Sequence, residues 1–197
     1  MIYYETERLI IRQWQQSDIA PFVLLNQDKA VMQFLIPLNE QQTITLVNKF
    51  IQHFKQFGYT IYACELKSNR QFIGFIGLWH RFDMPFSPCV EIGWRLFRKH
   101  WGQGLATEAA KKCLEIGFLE FNLDEIVSFC AKINIKSERV MQKINMVYCE
   151  GDDFYHYKLA RNNPLSLHIL YRIKKTAWIE TTLHGRINSE NFNLAQI

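Results

Sequence analysis

Residues 90–117 read VEIGWRLFRKHWGQGLATEAAKKCLEIG. From Val90 to Phe97 apolar and polar residues alternate, the period of a strand, and from Leu105 to Phe118 the residues Leu105, Ala106, Ala109, Cys113, Leu114, Gly117 and Phe118 share one helical face. Between them runs a basic turn with two glycines: Arg98, Lys99, His100, Trp101, Gly102, Gln103, Gly104. Glycine admits positive φ and close backbone approach. The first amides of a helix have no internal acceptor and carry the positive end of its dipole. Strand, turn and helix in this order predict a seat for an anion, a phosphate or a pyrophosphate.

Two well-known phosphate turns do not fit. The lysine–hydroxyl pair of a Walker loop is missing, and Thr107 stands where a dinucleotide fingerprint has its third glycine. Several strands also precede this turn, whereas a Rossmann unit opens with it. Taken alone, the turn is equally well an ordinary turn with a helix cap.

Its wording adds to that. Trp101-Gly102-Gln103-Gly104-Leu105-Ala106 closely resembles the acyl-CoA-binding motif Gln/Arg-x-x-Gly-x-Gly/Ala of the GNAT N-acetyltransferase superfamily. Trp101 departs from Gln/Arg, but HWGQGLATEAA resembles the RimJ/RimL-like branch, where tryptophan is usual. The resemblance implies that amides of Trp101, Gly102, Gln103, Gly104, Leu105, Ala106 and Thr107 hold a CoA pyrophosphate. It also implies that Leu96, Phe97 and Arg98, closing the preceding strand, meet the pantetheine arm.

The chain has 197 residues, 48% of them hydrophobic, which suits one domain with a sizeable core. Its formal charge of +4 suits an anionic cofactor, and without a long basic run it does not argue for nucleic acid. Five scattered cysteines without a Cys-x-x-Cys pair form neither a disulfide framework nor a metal site. No basic-then-apolar leader opens the chain and no apolar run has the length of a membrane span, so a cytoplasmic protein without membrane partners is expected.

In chain order, Thr6 to Trp14 is expected as a strand, then a short helix capped by Ser17 with Pro21 near its start, and a second short helix over Asp28 to Phe34. Asn39 caps a longer helix with an Ile44, Val47, Ile51, Phe54 stripe, ended by Gly58. Tyr59 to Leu66 and Phe72 to Trp79 form a hairpin, with Gly74 and Gly77 marking a bulge or a close neighbour. Arg81 to Pro88 is a loop that either carries specificity or packs over the sheet. Glu125 to Ala131 is a buried strand, Met146 to Cys149 and Phe154 to Leu159 are further strands, and His168 to Lys174 is the last.

Asn134 to Lys143 resembles the superfamily's Asn-x-x-Ser-x-x-Val-Met-x-Lys-x-Gly block, with Asn145 in place of the glycine, a mild change at a left-handed helix end. Residues 6–175 are expected as the domain and 176–197 as a tail, loose or packed as a short helix around Trp178 and Ile179. The element order predicts an α+β (mixed α/β) fold. The resemblance implies a GNAT-like, mostly antiparallel twisted sheet of about seven strands, split near the middle and flanked by about four helices.

Direct acyl transfer needs an oriented amine, a base for its proton and a donor for the departing thiolate. Freeing an α-amine of pKa about 8 at pH 7 costs on the order of 1 kcal/mol, and a lysine about 4.6 kcal/mol, so only the lysine demands a well-placed base. Glu91 on the central strand is the base candidate, equally readable as an exposed or paired strand residue, with Asp152, Asp153, His156 and His80 behind it. The superfamily's acid is often a tyrosine, and the matching residue here is Met141. The resemblance makes Ser137 the donor instead and sets Asn134 against the cofactor arm.

The reading is an acetyl-CoA-dependent N-acetyltransferase acting on a primary amine, either a protein N-terminus or an amine-bearing small molecule, as monomer or homodimer. The alternatives are a CoA-binding sensor or scaffold without turnover, and a nucleotide-binding protein using the same turn.

Overall fold

The computed structural model describes residues 3–183. Nine strands form one sheet: β1 Tyr3–Glu5, β2 Leu9–Arg12, β3 Ile61–Leu66, β4 Phe72–Arg81, β5 Cys89–Leu96, β6 Glu125–Ala131, β7 Val147–Tyr148, β8 Phe154–Tyr155 and β9 Leu167–Lys174. The helices are α1 Ile19–Gln27, α2 Glu40–Phe57, α3 Leu105–Leu119 and α4 Ile135–Lys143, followed by a helical stretch at residues 175–183. The sheet order is β1-β2-β3-β4-β5-β6-β9-β7, with β8 also on β9. All neighbours are antiparallel except β5 and β6, which are parallel and in register at Glu91 with Val127 alone. That break is the expected split.

The α+β class stands, with nine strands in place of about seven. The additions are short: β1 has three residues, and the expected strands at Met146–Cys149 and Phe154–Leu159 shrink to two residues each. The strand expected over Thr6–Trp14 is regular only over Leu9–Arg12. Asp28–Phe34 is not a helix but a chain ending in one 3-10 turn at Met32–Phe34. Ser17 does not cap α1: it lies exposed inside a 3-10 turn, where Asp18 accepts from the Gln15 amide at 2.8 Å. Asp18, the residue before α1, makes no side-chain cap bond to that helix; its carboxylate pairs instead with the buried Arg12 guanidinium. Arg12 bonds Glu65 through Nε at 2.7 Å and thereby ties β2, β3 and the start of α1 together.

Asn39 does cap α2, accepting from Gln42 N while Gln42 Oε1 accepts from Asn39 N, and Gly58 ends it at φ +79°. The buried stripe, however, is Thr43, Val47, Phe50 and His53, rotated from the expected one, and Ile51 is exposed. The face turns because His53 is a fully bonded core residue. Its Nε2 accepts from the His80 amide, so Nδ1 carries the proton and donates to Tyr59 O. With both nitrogens used in the neutral form, burial holds its pKa down at about 4.

Two apolar layers cover the sheet. Ile73, Ile76, Leu78, Ile92 and Leu96 pack against Leu105, Ala109, Cys113 and Leu114 of α3 on one face. Phe75 and Phe72 pack with Phe22 of α1 and Phe50 of α2 on the other. Gly74 and Gly77 answer to both expectations: the register shifts at Cys64/Glu65 beside Gly74, and a Cβ would meet Arg95 O at 2.0 Å from Gly74 and Thr60 O at 2.1 Å from Gly77. Trp178 lies 5.4 Å from Phe118, ring to ring, so the start of the expected tail packs on α3; residues 184–197 of that tail lie outside the described residues. Among the described residues, no helix is long and apolar enough to cross a membrane.

Two substitutions test this frame by urea unfolding. Gly77→Ala should cost on the order of 3 kcal/mol, because backbone rather than a side chain blocks the new methyl. Asn39→Ala should cost about 1 kcal/mol. A Gly77→Ala variant as stable as the parent would contradict the close β3–β4 approach.

Candidate active site

The turn after β5 is built as its glycines require. Arg98–His100 is a single 3-10 turn, and Gly102 and Gly104 take φ +73° and +78°. A Cβ at Gly102 would meet nothing within 4 Å. Helix α3 starts at Leu105 and Gly104 O accepts from Glu108 N. Among the described residues no acceptor meets the amides from Gly102 to Thr107. These donors converge on the positive end of a helix of ordinary length, flanked by exposed Arg98 and Lys99. Such a cradle fits a diphosphate, because open backbone donors satisfy its oxygens without a side-chain lysine.

The rest of the turn is anchored from outside. Glu108, in the first turn of α3, accepts from Thr6 Oγ1 at 2.5 Å, Arg8 N at 2.8 Å and Arg8 Nε at 2.7 Å. These donors hold its carboxyl below the usual range against the opposing effect of burial. Arg8 also donates to Gln103 O at 2.9 Å, and Gln103 Nε2 to Lys99 O. Neither Thr6, Arg8 nor Glu108 was among the expected site residues, since an anchor one hundred positions away has no local spacing to show it.

Trp101 explains itself. Its Nε1 donates to Leu96 O at 2.8 Å, and Lys136 Nζ of α4 lies 4.4 Å from its ring centroid. The indole therefore closes the end of β5 and reaches across to the second motif. Of Leu96, Phe97 and Arg98, the Leu96 carbonyl is thus engaged, and Phe97 donates to Ile73 O and accepts from His100 N. By strand alternation, the backbone groups of Trp94 and the amide of Leu96 face the gap beyond Glu91 and Val127. Trp94, absent from the expected set, is the better placed of the strand residues to meet an arm in that gap.

Asn134 and Ser137 come together at the start of α4. Asn134 Oδ1 accepts from Ser137 N at 3.3 Å, and its Nδ2 donates to Ser137 Oγ at 3.1 Å. Because the Ser137 oxygen accepts this bond, its hydroxyl proton is free to donate elsewhere. Met141 is wholly buried and Asn145 takes φ +63°, the left-handed end expected there.

Glu91 sits at the last joined pair of the split. Burial pushes its pKa up to about 7, Arg81 opposes this and Asp83 reinforces it. Arg81 Nη1 bonds Glu91 Oε2 at 3.1 Å, while Nε and Nη2 grip Asp83 at 2.8 and 3.2 Å. Tyr157 donates to Asp83 Oδ2 at 2.7 Å. The loop expected from Arg81 therefore faces the site. Three of the fallback bases are engaged elsewhere: Asp153 pairs with Lys132, Asp152 stands 3.7 Å from Arg172, and His80 stacks on Phe57 and Phe82. His156, stacked on Tyr157, is pushed down to about 4 by burial and by His168.

A family model described as acetyltransferase (GNAT) domain matches residues 8–147. The uncharacterized protein YkkB of Bacillus subtilis is 33% identical over 73% of this chain and 84% of its own length. The crystal structure of a GNAT-family acetyltransferase from Bacillus anthracis aligns with TM-score 0.73 at 28% identity, covering 89% of this chain and 99% of that one. The ribosomal alpha-N-protein acetyltransferase RimL, solved in complex with coenzyme A, aligns with TM-score 0.72 at 16% identity over 89% of this chain and 99% of that one, a likeness of fold.

Gly104→Val tests the cradle. The substitution forces a branched residue into φ +78°, where only the end of Arg8 lies near, so the fold should survive and the amide array should not. Coenzyme A affinity, measured by calorimetry, should fall by roughly tenfold or more. Unchanged affinity in a folded variant would move the cofactor elsewhere.

Proposed function

Because this chain belongs to the GNAT acetyltransferase family, whose cofactor is acetyl-CoA, we propose that it acetylates a primary amine by direct attack, with Glu91 as base and Ser137 as proton donor. The observation that carries this reading is the position of Glu91 at the point where β5 and β6 part, on the strand whose end forms the amide cradle. Acetyl-CoA supplies an acetyl group activated as a thioester. Gly102 to Thr107 would hold its diphosphate, with Arg98 and Lys99 alongside, and Trp94, Leu96 and Asn134 would line its arm. As the amine nitrogen bonds the acetyl carbon, the carbon–sulfur bond breaks. The nitrogen's proton goes to a Glu91 carboxylate oxygen, directly or through one water; the Ser137 hydroxyl proton goes to sulfur, and the serine oxygen takes a proton back from solvent.

The energetics suit this division. A carboxylate with pKa about 7 is ionised often enough near neutrality to act and basic enough to take a proton from an ammonium of pKa about 8. A covalent cysteine route is disfavoured: Cys130 lies on β6 by the split, but burial pushes its thiol up to about 12. The acceptor reading covers protein N-termini and small amines alike.

A thiol-release assay over a panel of amines tests the activity, and CoA stabilisation without amine-dependent release would instead mark a sensor. Glu91 works as a base only when ionised, so kcat/KM for the acceptor should fall as pH drops through about 7, far above the ordinary carboxylate range. Glu91→Gln should abolish that inflection and lower kcat by about 10²-fold. Ser137→Ala should lower kcat more than CoA affinity; equal losses would reduce the hydroxyl to a binding or capping role.

A further inference from the structure

Glu91, Gly93 and Arg95 alternate along β5 and therefore share the face turned toward α1 and α2. Gly93 stands opposite Gly77 of β4, so two neighbouring strands present no side chain at this point. A Cβ on Gly93 would meet only Glu91 Oε1, at 3.7 Å. The result is a recess floored by backbone, with a carboxylate at one end and a guanidinium at the other.

Arg95 is unusual among the described arginines of the interior. Arg12, buried at 3% exposure, is matched by Asp18 and Glu65. Arg95 has no carboxylate partner among the described residues: Nη1 bonds the neutral amide oxygen of Asn26, Nε is enclosed without an acceptor, and the guanidinium carbon lies 5.1 Å from the Phe75 ring. Its surroundings therefore disfavour its charge, and burial alone lowers its pKa to about 10. A cation set over an aromatic ring and held by one neutral amide keeps most of its donor capacity for something the chain does not supply.

We propose that this recess binds the acceptor and that Arg95 selects anionic amines: primary amines joined by a short chain to a carboxylate or a phosphate. This rests on the acetyl-transfer reading and deepens it. The ammonium end approaches Glu91, which draws it in and takes its proton. The anionic end meets the Arg95 fork, with Asn26 fixing the guanidinium plane. Residues 91 and 95 lie about 13 Å apart along the strand, Cα to Cα, so the two charges of the acceptor stand several bonds apart rather than on one α-carbon. A diamine would bring its second ammonium to Arg95 and be repelled.

Matched five-carbon acceptors ending in carboxylate, phosphate, methyl or ammonium decide this with acetyl-CoA at saturation. The two anionic acceptors should exceed the ammonium-ended one by at least about tenfold in kcat/KM, the range of a hydrogen bond to a charged group; which of the two is better identifies the anion. Arg95→Gln should bring the carboxylate-to-methyl ratio close to one, Arg95→Lys should keep part of it, and calorimetry should show the same loss in carboxylate-acceptor binding. CoA-induced thermal stabilisation serves as the check that both variants are folded. Preference for the diamine, an unchanged ratio in Arg95→Gln, or a loss of CoA affinity in place of acceptor affinity would overturn the assignment. No thiol release with any amine, while CoA still stabilises the protein, would overturn the transfer reading itself and this inference with it.

Discussion

The two halves of this sheet are joined by one parallel pair, with the Ser128 hydroxyl of β6 donating to Ile92 O of β5 beside it. Strands β5 and β6 meet in register at Glu91 and Val127 and nowhere else. Beyond it, β5 keeps its antiparallel pairing with β4, and β6 keeps its own with β9. Each strand is therefore stable on one edge and open on the other. An open edge exposes unpaired backbone groups, a liability unless something lies along it. Here the edge runs from a half-buried carboxylate to a helix start rich in free amides, which is a sensible path for a long, polar, diphosphate-bearing cofactor.

The charges around the split are arranged to oppose one another. Burial raises the pKa of Glu91 and Arg81 lowers it, while Asp83 and Tyr157 absorb part of what Arg81 could give. The net effect is a carboxylate near neutrality rather than a fully paired ion. At the other end of the chain's machinery, Glu108 is drawn below its usual range by Thr6 and Arg8 and stays an anion that steadies the turn. The two glutamates differ in role because one meets a single guanidinium edge and the other three donors.

Local chemistry was legible in the sequence, and long-range chemistry was not. Asn39, Gly58 and Asn145 were readable because caps and left-handed residues depend on neighbours within four positions. The strand from Cys89 and the helix from Leu105 were readable by period, and the cradle by its two glycines. The α2 stripe was misjudged because hydropathy could not tell that His53 would be satisfied inside by Tyr59 and His80. Asp28–Phe34 failed as a helix because the Asp28 side chain accepts from Ala30 and Val31, favouring a turn. Arg81, Asp83 and Tyr157 carry no motif; only the fold brings them to Glu91.

The central claim is that the open main-chain donors between Gly102 and Thr107 hold the cofactor's diphosphate. Backbone NMR of the labelled protein titrated with coenzyme A reads those donors one by one. The account predicts that the amide signals of Gly102 to Thr107 move most and exchange with solvent more slowly in the complex. Saturation with coenzyme A that left these amides unmoved, while signals elsewhere shifted, would contradict it.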